Sequence, residues 1–445
     1  MKVSVVGLGK LGAPLVAVLA SKGFDVIGVD VHKTPIQLLN QGIAPVQEPH
    51  LQHLLERNLH KIKATQDYTA AILNTELTII AVPTPLQADY LIEHEHLHQV
   101  LEKIGIALQQ KASYHLVVIA CTVMPGAMEG SVRKTLERYA KRPVGEWLGL
   151  CYNPPLIALG SSIHNLQNPD LVLIGESDEK AGDFLESMYR AVLDNQAPIC
   201  RMDWMNAEVA KLALSGFLSA KISYANMLSD LCDYLPGADV DTITAAIGLD
   251  HRIGSSYFKA AAAFGGPSFP RDTLALGALA DRMGARGDLV VAAQNINDYQ
   301  SVRIQNFVEM HALTRRLGVL GLSYKPGTKV VEASQGVSLA NQLALQGYQV
   351  VVYDPQVLVD VQGGLLRDVE IAETIESCFE KADLLIIMTP WSQFGETLTR
   401  EYLEGHPKKV IIDCWRILDA QEVGEACDLV HLGAGGLSAV SAVYD

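Results

Sequence analysis

The chain opens with MKVSVVGLGKLG, a run of β-branched apolar residues leading straight into the glycines Gly7, Gly9 and Gly12. That order constrains the fold more than any other feature. A buried strand, a glycine turn and a helix start in sequence are the opening of a dinucleotide-binding β-α-β unit. Gly7 permits the tight turn, Gly9 leaves room for a pyrophosphate, and Gly12 lets the helix pack close to the strand. With Leu11 in the same turn, the helix N-terminus offers free N–H groups to phosphate. Asp30 ends the next apolar run, FDVIGVD, about 20 residues on, where a carboxylate accepts hydrogen bonds from ribose hydroxyls and repels a 2′-phosphate. NAD is therefore favoured over NADP, a preference that Lys33 nearby weakens slightly. The competing interpretation is a glycine-rich turn in a sheet of the same type that binds another ligand or none.

Further runs of the same kind follow. LTIIAVP and HLVVIAC read as buried parallel strands with helical segments between them, and YRAVLDNQAPICRM as the closing part of the sheet. From about Asp203 the pattern changes. WMNAEVAKLALSGFLSAKISYANMLSDLCDYL is strand-poor, with apolar residues at helical spacing, and reads as one long helix between two domains. Its apolar faces are too extensive for one partner, so a dimer interface is expected there. A second alternating block starts near Leu317, with RLGVLGLSY, QVVVYDP, ADLLIIMTP and KKVIIDCW as its strands. The expectation is an α/β protein, two Rossmann-like doubly wound lobes joined by a helical central dimerisation domain, divided at residues 1–200, 201–300 and 301–445.

A length of 445 residues requires more than one core, and a hydrophobic content of 49% is enough to build them. The net charge of -15 argues against a nucleic-acid groove, but a few lysines and helix N-termini can still hold a small anion locally. The seven cysteines are scattered with no CxxC pair, so neither a metal site nor a disulfide framework is expected. No basic segment precedes an apolar stretch at the start, and no apolar run reaches the ~18 residues of a membrane span. A reducing cytoplasm is the compartment these features suggest.

An ordered set of motifs then resembles the UDP-glucose/GDP-mannose dehydrogenase family over nearly the whole chain. It comprises Glu48-Pro49, Ala81-Val82-Pro83-Thr84-Pro85, the stretch Cys121 to Gly126, Asn153-Pro154 through Asn168-Pro169-Asp170, and Ile247 to Gly254. Phe264-Gly265-Gly266, Leu320 to Thr328 and Tyr353-Asp354-Pro355 complete it. The resemblance implies an NAD-binding domain, a helical dimer-forming middle and a C-terminal nucleotide-sugar lobe. It also implies oxidation of a sugar alcohol to a carboxylate in two hydride transfers through a cysteine-bound intermediate. Val82, Pro83, Thr84 and Thr122 would join Gly7, Gly9, Leu11, Gly12 and Asp30 around NAD. Arg252, Phe264, Gly265 and Lys325 would meet the nucleotide sugar, a UDP-sugar first among them, with Arg252 reaching a partner subunit's site and Lys325 meeting the pyrophosphate.

The catalytic set departs from that pattern. Ser268 stands at the cysteine position, and a hydroxyl is a far poorer nucleophile than a thiol unless a base activates it. Pro155 and Leu159 replace two glutamates, Ser215 an asparagine, and Lys329, Val330 and Glu332 two aspartates and an arginine. Thr122, Lys211 and Asp272 remain, so Lys211 is expected to polarise an oxyanion and Asp272 to order a water. For each there is a structural alternative: Asp272 as a helix cap, Lys211 as a surface lysine with a buried stem, Thr122 as a strand end. Cys121 and Cys151 are expected to be small buried side chains rather than nucleophiles. His164 and His251 are not expected to act as bases, His32, His50 and His53 are expected at the surface, and Trp391 and Trp415 in the second lobe's packing. Three functions fit: an NAD-dependent oxidoreductase acting on a nucleotide sugar, a binding or regulatory paralogue that does not turn over, and an enzyme that uses NAD without net redox change.

Overall fold

The computed structural model describes residues 1–357 and 364–435. The chain divides into two compact units, residues 1–213 and 214–445. The first unit holds an eight-stranded sheet: β1 (Lys2–Val6), β2 (Asp25–Val29), β3 (Ile62–Thr65), β4 (Leu77–Ile80), β5 (His115–Ile119), β6 (Leu148–Tyr152), β7 (Val172–Glu176) and β8 (Ile199–Met202). The order is β3-β2-β1-β4-β5-β6-β7-β8, reversing direction of growth between β1 and β4, where a doubly wound sheet opens its ligand crevice. Pairing is parallel from β3 to β6. It then turns antiparallel at β6 and β7, so the sheet is mixed at its far edge rather than parallel throughout.

Strand composition explains this layering. Successive side chains point to opposite faces. Val3, Val5, Leu116 and Val118 join the apolar layer under the helix Gly12–Ser21, while Val6, Val117 and Ile119 join the layer on the other face. Strands β3, β6 and β7 had no expectation of their own in the sequence. A buried polar thread crosses the second layer. Ser4 Oγ and Thr78 Oγ1 lie 2.6 Å apart, Thr78 Oγ1 lies 2.7 Å from His115 Nε2, and Lys111 Nζ lies 3.0 Å from His115 Nδ1. Burial holds His115 down at about 3, with the Lys111 charge adding to it, and lowers Lys111 to about 8.

The long apolar segment forms one helix, Trp204–Asp233, 30 residues in length, as its spacing predicted. In the second unit its inner side is polar. Ser219 accepts a hydrogen bond from Thr273, Ser223 donates to the Ala293 carbonyl, and Asp233 pairs with Arg303, which is only 2% exposed. The opposite side shows Phe217, Tyr224, Met227 and Leu231 to solvent, at successive spacings of seven, three and four. The helix is thus inverted relative to an ordinary surface helix, with a polar seam inside and an apolar stripe outside.

The second unit's sheet contains β9 (Arg316–Leu320), β10 (Gln349–Tyr353), β11 (Glu370–Ile371), β12 (Leu384–Ile387), β13 (Val410–Asp413) and β14 (Asp428–His431), in the order β11-β10-β9-β12-β13-β14. All its pairings among the described residues are parallel. Among the described residues, no helix is long and apolar enough to cross a membrane.

Candidate active site

In the first unit, the glycine turn follows β1 and opens the helix Gly12–Ser21. Gly7 has φ +92°, and a side chain there would come within 2.4 Å of the Ala81 carbonyl oxygen. A Cβ on Gly12 would lie 1.7 Å from the Gly7 carbonyl oxygen, so helix and turn touch backbone to backbone. Gly9 differs: nothing lies within 4 Å of where its Cβ would be, which leaves open space over the turn. Asp30, half-buried, accepts the Leu8 N–H at 2.7 Å on one oxygen and the His32 N–H at 2.8 Å on the other. Each oxygen keeps lone-pair capacity for a ribose hydroxyl. Leu11 is the residue just ahead of the helix. After β4, Val82 is half-exposed and Pro83 exposed, and Thr84 Oγ1 is buried with no hydrogen-bond partner among the described residues. An open glycine, a carboxylate with spare acceptors and an orphaned hydroxyl together fit an adenine dinucleotide.

Thr122 and Lys211, both in the first unit, are buried, at 6% and 7% exposure. Lys211 is therefore not a surface lysine. Cys151 is wholly buried and its thiol is pushed far above the usual range, chiefly by desolvation, which suits packing and not nucleophilic attack. Cys121 is buried too. The loop carrying Pro155 and Leu159 is held from behind. The Glu48 carboxylate receives the Gly160 N–H at 2.9 Å and the Ser162 N–H at 2.7 Å, and Asn165 Oδ1 receives the Ala158 N–H at 3.0 Å.

In the second unit, Ser268 immediately precedes the helix Phe269–Arg282 and its side chain does not cap it. Asp272, fully buried in the first turn, accepts from Ser215 Oγ at 2.8 Å on Oδ2 and from Arg271 Nε and Nη2 at 2.9 and 2.8 Å on Oδ1. The strap ahead of Ser268 is fixed tightly. Phe264 exchanges hydrogen bonds with the Asn297 carboxamide, 2.7 Å to its N–H and 3.1 Å from its carbonyl. A Cβ on Gly265 would meet the Ala333 carbonyl oxygen at 2.3 Å, and one on Gly266 would meet the Tyr324 ring at 2.5 Å. The strap thus lies flat on the loop that carries Lys325, which is half-exposed. Arg252 is exposed and forks onto Asp250, with Nε at 3.0 Å and Nη2 at 2.6 Å from the carboxylate oxygens.

The structure brings the glycine turn, Asp30 and Thr84 to the carboxyl end of the first sheet, and Ser268, Asp272, Phe264, Gly265 and Lys325 into one region of the second unit. His251 and His164 are exposed, as are His32, His50 and His53. Trp391 is buried and Trp415 half-buried within the second lobe. Sequence reading missed Glu208, the fork of Arg271 onto Asp272 and the acceptor role of His94. The signal for Glu208 was a lone acid in the apolar stretch Ala207 to Leu214.

A dinucleotide turn on one doubly wound sheet, a long helix and a second sheet of like order define a two-lobed NAD-dependent dehydrogenase. The chain belongs to the UDP-glucose/GDP-mannose dehydrogenase family, matching that family's NAD binding domain at residues 1–193, its central domain at 205–299 and its UDP binding domain at 318–420. It is 32% identical to the UDP-glucose 6-dehydrogenase AglM of Haloferax volcanii, over 95% of this chain and 98% of that one. It is also 32% identical to the GDP-mannose 6-dehydrogenase of Pseudomonas aeruginosa, over 80% of this chain and 82% of the relative. Among solved structures, a UDP-glucose dehydrogenase from Pyrobaculum islandicum superposes with a TM-score of 0.87 at 31% identity, covering 98% of both chains.

Proposed function

We propose that this protein oxidises a primary alcohol of a UDP-sugar, with UDP-glucose as the first candidate, by one hydride transfer per turnover, and releases the product at the aldehyde level. The observation that carries this reading is Ser268 in place of a thiol, in a chain whose dinucleotide crevice is intact. Gly9 and Asp30 would hold NAD+, which when bound would supply the hydride acceptor. The alcohol carbon loses hydride and its hydroxyl loses a proton, giving aldehyde, NADH and H+. Lys211 stabilises the developing alkoxide, and Asp272, paired with Arg271, orders the water that carries the proton away. Capture of the aldehyde requires a nucleophile, and the hydroxyl of Ser268 is a far poorer one than the thiol it replaces. Lys325 and Phe264 with Gly265 contact the substrate's diphosphate and sugar, and Arg252 serves the partner subunit's site.

The working unit is a homodimer formed through the exposed stripe of the long helix. Phe217, Tyr224 and Leu231 repeat at seven-residue spacing, with Met227 between the last two, the seam of a helix pair. The division into residues 1–200, 201–300 and 301–445 goes with this reading.

Purified protein is mixed with NAD+ and a panel of UDP-, GDP- and dTDP-sugars, and NADH absorbance and products are followed. One NADH per sugar with an aldehyde product is expected. Two NADH and a carboxylate overturn the single-transfer reading. Tight sugar-nucleotide binding without NADH supports a regulatory paralogue, and an altered sugar without net NADH supports internal use of the cofactor.

A further inference from the structure

Glu208 lies on the long helix one turn before Lys211 and is completely buried. Its two oxygens are both committed. Oε2 receives the Gly126 N–H at 2.7 Å and Oε1 the Met128 N–H at 2.7 Å, with the Ala127 N–H also directed to the carboxylate. These amides begin the helical stretch that continues through Arg133–Ala140, and the first N–H groups of a helix have no partner within it. The opposite side of the same loop is held by His94, whose Nε2 accepts the Met124 N–H at 3.2 Å. Burial keeps His94 at about 4, so its ring is neutral and free to accept at neutral pH. The segment from Cys121 to Gly126 has no strand or helix ladder to fix it, and Thr122 sits near its start. With each oxygen engaged by backbone, Glu208 has no geometry for reaching a substrate, and its work is mechanical.

We infer that Glu208 is a positioning residue, tying the Gly126–Met128 backbone to the long helix and so fixing Thr122 relative to Lys211. Residues three apart on a helix share a face, so the tie and the lysine move together. Loss of the tie displaces the lysine from the reacting oxygen rather than removing a contact to either ligand, and small displacements of this kind cost rate steeply. The turnover arm of the following test rests on the redox reading above, whereas the exchange arm does not.

Glu208→Gln keeps the size of the side chain but turns an NH2 group on one of the two amides. With NAD+ and UDP-glucose, kcat is expected to fall about 10- to 100-fold while both KM values stay within about threefold, in a variant whose thermal melt remains cooperative. A loss confined to KM, or an unchanged kcat, overturns the inference. If the wild-type protein oxidises no nucleotide sugar, the redox reading fails and the second arm decides alone. Amide hydrogen exchange at Gly126 and Met128 should then accelerate in Glu208→Gln, and acetic anhydride should label Lys211 faster. Unchanged exchange together with unchanged labelling overturns the positioning role.

Discussion

The two sheets of this protein are built to one plan and have been put to different uses. In each, the strand order around the centre is the same, a glycine with positive φ ends the first strand, and a second glycine at the following helix presses on its carbonyl. Those pairs are Gly7 with Gly12 and Gly321 with Gly336, whose Cβ positions would fall 1.7 and 2.1 Å from the respective carbonyl oxygens. Each sheet also ends its second strand with an aspartate that accepts the N–H after that first glycine, Asp30 from Leu8 at 2.7 Å and Asp354 from Leu322 at 2.8 Å. The difference lies in what else the carboxylate does. Asp30 is half-buried and can still accept from a ribose. Asp354 is wholly buried, and its Oδ2 is ringed by the Ser323 N–H and hydroxyl at 2.9 Å and by Trp391 Nε1 at 3.2 Å. The longer segment Leu322–Gln335 between the second pair of glycines carries the Lys325 loop where the first lobe has a short open turn. The same scaffold thus offers a dinucleotide cradle when its acceptors are left over, and a rigid internal hub when they are all taken.

The sharpest way to break this comparison is to crowd each glycine pair. Gly12→Ala should lower NAD+ affinity by about 100-fold, roughly 2.8 kcal/mol, because the helix must move off the turn. Gly336→Ala should lower the melting temperature instead and leave NAD+ affinity within about threefold. Calorimetric titration and thermal melts on both variants decide it, and an equal loss of NAD+ affinity would refute the division of labour.

The aspartates come next. Asp30→Ala should weaken NAD+ binding by about 10- to 50-fold, the value of one or two charge-assisted hydrogen bonds, with little change in stability. Asp354→Asn turns an NH2 group toward donors and should cost about 3 kcal/mol of unfolding free energy, with NAD+ binding retained. Denaturant titration measures the second effect.

A pH experiment sharpens the contrast between the lobes' interiors. Folding lowers the His115 pKa from 6.5 to about 3, so the unfolded chain takes up its proton first as the medium acidifies. This contribution to stability is full above about pH 6.5 and declines as pH falls towards 3, by on the order of 5 kcal/mol. His115→Gln should flatten that part of the curve. His431 in the second lobe is also lowered by burial, but Asp413 beside it pulls the other way, so His431→Gln should alter the same window less. The smallest effect is Trp391→Phe, which removes one donor to Asp354 and Ser323 and should cost about 1 kcal/mol.

The chain's order alone determined a good deal. Apolar runs such as HLVVIAC are long and β-branched enough to be strands in any context, and they placed β5 with the others that flank the crevice. Helical spacing from Trp204 onward marked a single long helix, and the glycines with Asp30 marked the dinucleotide turn, where backbone crowding at Gly7 and Gly12 leaves no room for a side chain. The same signals could not separate Asp30 from Asp354. Both end a strand with YDP- or VDV-like text, and only the fold shows that Trp391 and Ser323 converge on one of them. Nor did the sequence disclose that Glu208 grips a loop far away in chain order, with separations of 82 and 80 positions to Gly126 and Met128. Local pattern fixes secondary structure and turn chemistry, since these depend on neighbours along the chain. Which acceptors remain free is set by donors brought together from distant segments, and that is a property of the tertiary structure.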